Sequence, residues 1–211
     1  MPQATSVITP TRFEQGLTYS AFLAQAAVNR DKFEQFYNDP ALSAEDLAFF
    51  KKAAASPNGP KKVLAIAEAW CGDVYRELPT IARIAEAAGM ELRVFLRDDN
   101  PDIMDEFLSN DGKSRAIPVF VFYTGDMQYI AHFTERSANA HAELAAISDQ
   151  LKAEQNLPKE ATFATLSETQ RQPFLRALIA HIQPRFPRWR KESILEMRQL
   201  LSTALHLPNA G

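Results

Sequence analysis

Residues 68–79 read EAWCGDVYRELP and hold the only cysteine of the 211-residue chain. Before it lies KVLAIAEA (62–69), an apolar run of strand length. After it, DVYRELPTIARIAEAAGM (73–90) repeats Leu78, Ile81 and Ile84 at helical spacing and ends at Gly89, a residue suited to a helix C-terminus. Cys71 therefore falls where a strand hands over to a helix. Backbone N–H groups and the dipole at a helix start favour a thiolate over a thiol, and the thiolate is the nucleophile of thiol–disulfide exchange. Trp70 and Gly72 suit a partly exposed turn that another backbone can approach.

Outward from this stretch the alternation continues. ELRVFLRDD (91–99) alternates like a strand, and NPDIMDEFLSNDG (100–112) opens a helix with Asn100 as N-cap and Pro101 as first helical residue. IPVFVFYTGDMQYIAHF (117–133) reads as two strands joined at Thr124-Gly125-Asp126, and SANAHAELAAISDQLKAE (137–154) reads as a helix. Strand, helix, strand, helix, strand, strand, helix implies a mixed sheet with helices on both faces.

Upstream, LTYSAFLAQAAVNRDKFEQFY (17–37) carries one or two helices, and Ser43 with Asp46 forms a capping-box pattern ahead of Leu47, Phe49 and Phe50. SPNGPKK (56–62) is a breaker cluster. Beyond Leu157, two helical segments flank QPRFPRW (183–189). These signals set an N-terminal helical extension at 1–59, a central domain at 60–152 and a C-terminal helical extension at 153–211.

The central domain resembles the thioredoxin-like superfamily. The likeness rests on AEAWCGD (67–73), on Pro79 within the following helix, and on RAIPVFVFYTGD (115–126) with Ile117-Pro118 ahead of a strand hairpin. EAWCGD with LRDDNPDIMDEFL (96–108) is similar, more narrowly, to a bacterial thioredoxin-like group with helical extensions and a WCGD motif. The resemblance implies a three-layer α/β/α sandwich with a mixed sheet. It also implies a cis peptide at Pro118 beside Cys71, with Ile117 and Pro118 presenting backbone to a bound chain. Two departures matter: the resolving position of a C-x-x-C motif is Val74, and Ala65 stands where typical members have a buried carboxylate.

Other residues carry weaker signals. Asp73 reads either as a polar contact or proton shuttle for a substrate, or as a first-turn acid that complements the helix dipole; a carboxylate beside Cys71 opposes thiolate formation. Arg97-Asp98-Asp99 ends a strand and reads as a solvated turn with an Arg–Asp pair. His132 reads as a semi-buried strand residue. The four histidines lack metal-ligand spacing, so no metal is expected. Arg185, Arg188, Arg190 and Lys191 interleave with Phe186 and Trp189, a pattern better suited to Trp189 anchoring a helix than to binding nucleic acid.

A net charge of −3 gives no overall attraction to nucleic acid or anionic membrane. No secretory leader or 18-residue apolar run is present, which points to the cytoplasm. A single cysteine excludes an internal disulfide.

The expectation is a monothiol redox protein. Cys71 is the catalytic residue, Trp70, Gly72, Asp73, Ile117 and Pro118 form the substrate site, and no resident cofactor is required. The partner is a protein or small-molecule thiol or disulfide, with glutathione as a candidate external thiol and the helical extensions as a candidate homodimer surface. The competing expectation is a redox-inert thioredoxin-fold module that binds a peptide or protein.

Overall fold

The computed structural model describes residues 6–39 and 41–208. Its elements run α1 (Pro10–Glu14), α2 (Tyr19–Gln25), α3 (Arg30–Asn38), α4 (Ala44–Ala55), β1 (Lys62–Ala67), α5 (Gly72–Ala88), β2 (Glu91–Leu96) and α6 (Pro101–Met104). Then follow β3 (Val119–Tyr123), β4 (Tyr129–Thr134), α7 (Ala138–Glu154), α8 (Glu168–Ile182) and α9 (Phe186–Leu205). The four strands form one mixed sheet in the order β2-β1-β3-β4, with β1 parallel to β2 and antiparallel to β3. This is a thioredoxin-like α/β fold with helical extensions at both ends.

Local chemistry explains the element boundaries. Gly89 ends α5 in the left-handed conformation (φ 68°) that glycine adopts without a Cβ penalty. Ser43 opens α4 with the complete capping box: its hydroxyl accepts the Asp46 N–H, and the Asp46 carboxylate accepts the Ser43 N–H at 3.0 Å. Asn100 stands before Pro101 as expected, but its side chain bonds the Leu96 carbonyl rather than capping α6.

Compactness groups the residues into two units, 1–135 with 193–211, and 136–192. In the first, Val63 to Ala67 of β1 and Val119 to Phe122 of β3 are fully buried, together with Leu78, Ile81 and Ile84 of α5. Central strands covered on both faces read as continuous apolar runs, which is why KVLAIA and VFVFY show no alternation. Phe13, Phe22, Phe33 and Phe50 of the N-terminal helices and Ile194, Met197 and Leu201 of α9 belong to the same core.

The N-terminal segment also closes a sheet edge, since Leu17 and Val94 exchange backbone hydrogen bonds of 2.9 and 2.7 Å. Gly16 makes that approach feasible; a Cβ there would lie 2.5 Å from the Phe95 ring. At the other end, Arg198 of α9 clamps α4, donating to Asp46 at 2.7 Å and Glu45 at 2.9 Å, with its guanidinium over the Phe49 ring.

The second unit has its own small core of Ile147, Leu151, Leu166 and Phe174. In the same unit Trp189 Nε1 donates to Glu143 at 2.8 Å, and Arg188 pairs with both Glu143 and Glu192. These contacts accord with an anchoring role for Trp189. Among the described residues no helix is long and apolar enough to cross a membrane.

Candidate functional site around Cys71

Cys71 is the N-cap of α5, in extended conformation and without a side-chain cap hydrogen bond. The antiparallel register that pairs Ile66 with Val119 sets the start of β3 beside the end of β1. The Ile117–Pro118 peptide, which is cis, immediately precedes that start. Residues far apart in sequence therefore meet, and the Cys71 thiol donates to the Ile117 carbonyl with Sγ···O 3.6 Å. The cysteine is half-buried, Gly72 is exposed, and Ile117 and Pro118 are buried. Trp70 stands at the rim, 54% exposed. Val74, at the resolving position, is fully buried and contributes core rather than chemistry.

Asp73 is brought close but turned aside. Its carboxylate is 2.5 Å from Arg76, whose guanidinium also donates to Glu77 at 2.7 Å. Burial works against the Arg76 charge, yet Glu77 and Asp73 outweigh it and hold the guanidinium protonated. Arg76 thus offsets part of the Asp73 charge within one turn of the same helix, while sharing its guanidinium with Glu77.

Four further residues meet the Cys71 loop in ways the sequence pattern does not specify. Arg97 lies 5.0 Å from the centroid of the Trp70 ring while pairing with Asp98. Glu68 accepts the Asp98 N–H at 3.0 Å and so ties the end of β1 to the end of β2. Asn29, at a left-handed backbone position ahead of α3, donates its side-chain amide to the Ala69 carbonyl at 2.9 Å. Tyr75, one turn into α5, is packed by Phe33 and Phe36 of α3. Tyr75 has a usable sequence signal in its place four residues after Cys71 on the same helix, as Arg97 has at the end of a strand.

His132 stays apart, bonded through Nδ1 to the Tyr129 hydroxyl at 2.7 Å and packed edge-on to Phe107. Among the described residues no group of three or more His, Cys, Asp or Glu is placed to hold a metal. A cavity of about 440 Å³ lined by Tyr19, Leu23, Glu34, Tyr37 and Glu86 shares no residue with the Cys71 loop. Its two carboxylates pair with Arg30 and Arg83.

A family described as thioredoxin matches residues 16–152, and the chain belongs to that family. The match begins in the N-terminal helices, well before the central domain that sequence reading delimits. Two solved structures share the fold. One is an HIV epitope-scaffold, with TM-score 0.58 and 13% identity over 93% of this chain and 99% of that one. The other is a Pseudomonas aeruginosa protein of unknown function, with TM-score 0.55 and 16% identity over 84% of this chain and 98% of that one. No curated protein matches the sequence.

Proposed function

We propose that this thioredoxin-family protein carries out monothiol thiol–disulfide exchange at Cys71. The observation that carries the reading is the half-buried Cys71 at the start of α5, with its sulfur against the Ile117 carbonyl and a buried Val74 in place of a second thiol. The Cys71 thiolate attacks one sulfur of a substrate disulfide; a new S–S bond forms to Cys71, and the old bond breaks to release a substrate thiolate, which takes a proton from water. A second thiol, such as glutathione, must then attack the mixed disulfide. That step regenerates Cys71 and carries away the first half of the substrate as a disulfide. The Ile117 carbonyl and the Trp70 rim supply hydrogen bonding and apolar contact to the bound chain.

The test is the pH dependence of Cys71 alkylation by iodoacetamide in folded protein, with denatured protein as reference. A midpoint well below the ordinary thiol value of ~8.5, and a glutathione adduct at Cys71 that excess glutathione removes, support the reading. A midpoint at the ordinary value, or no reaction until unfolding, overturns it and favours the binding-module alternative, to which the exposed Trp70 would then belong.

A further inference from the structure

We propose that Asn29 is a positioning residue of the Cys71 site: its side-chain amide locks the central peptide of the turn at residues 68–71 and so fixes Trp70 at the rim where a substrate disulfide docks. The inference rests on the monothiol reading above, and it makes the N-terminal extension part of that site.

The turn itself shows why a lock is needed. The Cys71 N–H donates to the Glu68 carbonyl at 3.1 Å and closes a turn whose inner residues are Ala69 and Trp70. That bond joins the two ends and leaves the peptide between Ala69 and Trp70 without a partner inside the turn. The ends have further support: Glu68 accepts the Asp98 N–H at 3.0 Å, and the Cys71 carbonyl accepts the Tyr75 N–H at 3.2 Å. The central peptide is held from α3, where Asn29 Nδ2 donates to the Ala69 carbonyl at 2.9 Å. A carbonyl only accepts, so the amide nitrogen of Asn29 is the atom that must face it. Rotation of the Ala69–Trp70 peptide would break this bond and move the exposed Trp70 ring off Arg97, whose guanidinium lies 5.0 Å from the ring centroid.

The donor is placed for this reach. Asparagine is among the best helix-capping residues, yet Asn29, at the cap position of α3, makes no side-chain cap bond. A capping side chain needs extended backbone, whereas Asn29 is left-handed (φ 59°, ψ 15°), a conformation that asparagine adopts more readily than most residues. The amide is thereby free for Ala69. The Asn29 carbonyl still starts the helix, accepting the Lys32 and Phe33 N–H groups at 3.0 and 3.1 Å. Phe33 is fully buried and meets Phe22 and Tyr75 edge-on, so the helix start that carries the donor is anchored in the core.

Rim and thiol can be followed separately. Asn29→Gly keeps the left-handed backbone and removes the donor; Asn29→Asp keeps the shape and sets an acceptor against the Ala69 carbonyl. With glutathione disulfide as probe, the Cys71 thiolate attacks one sulfur, a Cys71–glutathione bond forms, and the old S–S bond breaks to release one glutathione thiolate. Both variants should slow this step about fivefold, the competent population lost with one hydrogen bond, while iodoacetamide alkylation of Cys71 keeps its pH midpoint. In nitrogen-15 NMR the Trp70 indole signal should shift and broaden in both variants, with the indole of Trp189, the other tryptophan, as internal reference.

In wild-type protein the Trp70 amide should show no millisecond exchange, a measurement that stands if the variants lose their near-UV circular dichroism. Such exchange in the wild type, or folded variants with unchanged Trp70 signals and exchange rates, overturn the role of Asn29 and leave the monothiol reading intact. An alkylation midpoint that moves together with the exchange rate also overturns it, since the bond would then act on the thiol and not on the rim. Wild-type protein inert to glutathione disulfide overturns the monothiol reading, and the lock then stands or falls on the Trp70 signals.

Discussion

Two helices in this protein begin in opposite ways. At α4, Ser43 caps the first turn with its own side chain, Asp46 at the third helical position completes the box, and Arg198 covers Asp46 from α9. At α5 the cap residue is Cys71, which makes no side-chain cap bond, and the third helical position is Val74, buried in the core. One helix start is fully matched by local polar groups and serves stability. At the other the Cys71 side chain makes no cap bond and its thiol meets the Ile117 carbonyl, while Arg76 pairs with Asp73 of the first turn and α3 packs alongside.

Exchanging features between the two starts gives measurable outcomes. The largest effect is expected from Val74→Asp, which gives α5 the residue that α4 has at this place. It puts a carboxylate into a fully buried apolar site with no counterpart to Arg198, and should cost about 4 kcal/mol in chemical denaturation. A loss below about 1 kcal/mol would mean the two positions are equivalent after all.

Asp46→Ala breaks the matched start and leaves Arg198 with Glu45 as its carboxylate partner, and should cost about 2 kcal/mol while leaving the alkylation profile of Cys71 unchanged. The same carboxyl makes the clamp acid-sensitive. Burial pushes the Asp46 carboxyl up, but the Ser43 hydrogen bonds and Arg198 together hold it below its ordinary value of 3.8. Its folded-state value is thus depressed. The stability it contributes is complete above the unfolded value and lost as pH falls through the folded one. Asp46→Asn should flatten that part of the acid limb; an unchanged limb would assign the acid sensitivity to other carboxylates.

Ser43→Ala removes only the cap and should cost about 1 kcal/mol. Smallest and opposite in sign, Cys71→Ser supplies α5 with a better capping side chain and should raise stability by about 0.5 kcal/mol while abolishing adduct formation. A loss of stability in that variant would show that the sulfur makes packing contacts a hydroxyl cannot replace.

How far the sequence can be read follows from the range of the forces involved. Capping, turn chemistry and burial periodicity act over a few residues. They identified Ser43 with Asp46, Gly89, the strand runs around residues 63–67 and 119–123, and Cys71 at a strand–helix junction. The family resemblance drawn from EAWCGD and Ile117-Pro118 supplied the fold, and its extent was larger than the motifs indicated: the family match starts at residue 16, in helices that carry no motif of their own.

What only the tertiary structure decided depends on contacts between distant segments. Asn29 has no reason in sequence to bind the Ala69 carbonyl, because its first-order reading is a helix cap or a turn. Arg97 reads as half of a surface ion pair until the parallel register of β1 and β2 brings it against Trp70. Asp73 reads as a lone first-turn acid until it is seen paired with Arg76, which is only 2% exposed and shared with Glu77. The sequence by itself determined the helix starts, the strand runs and the position of the one thiol, since these are local; the surroundings of that thiol arise from packing and register, which become defined only when the chain has folded.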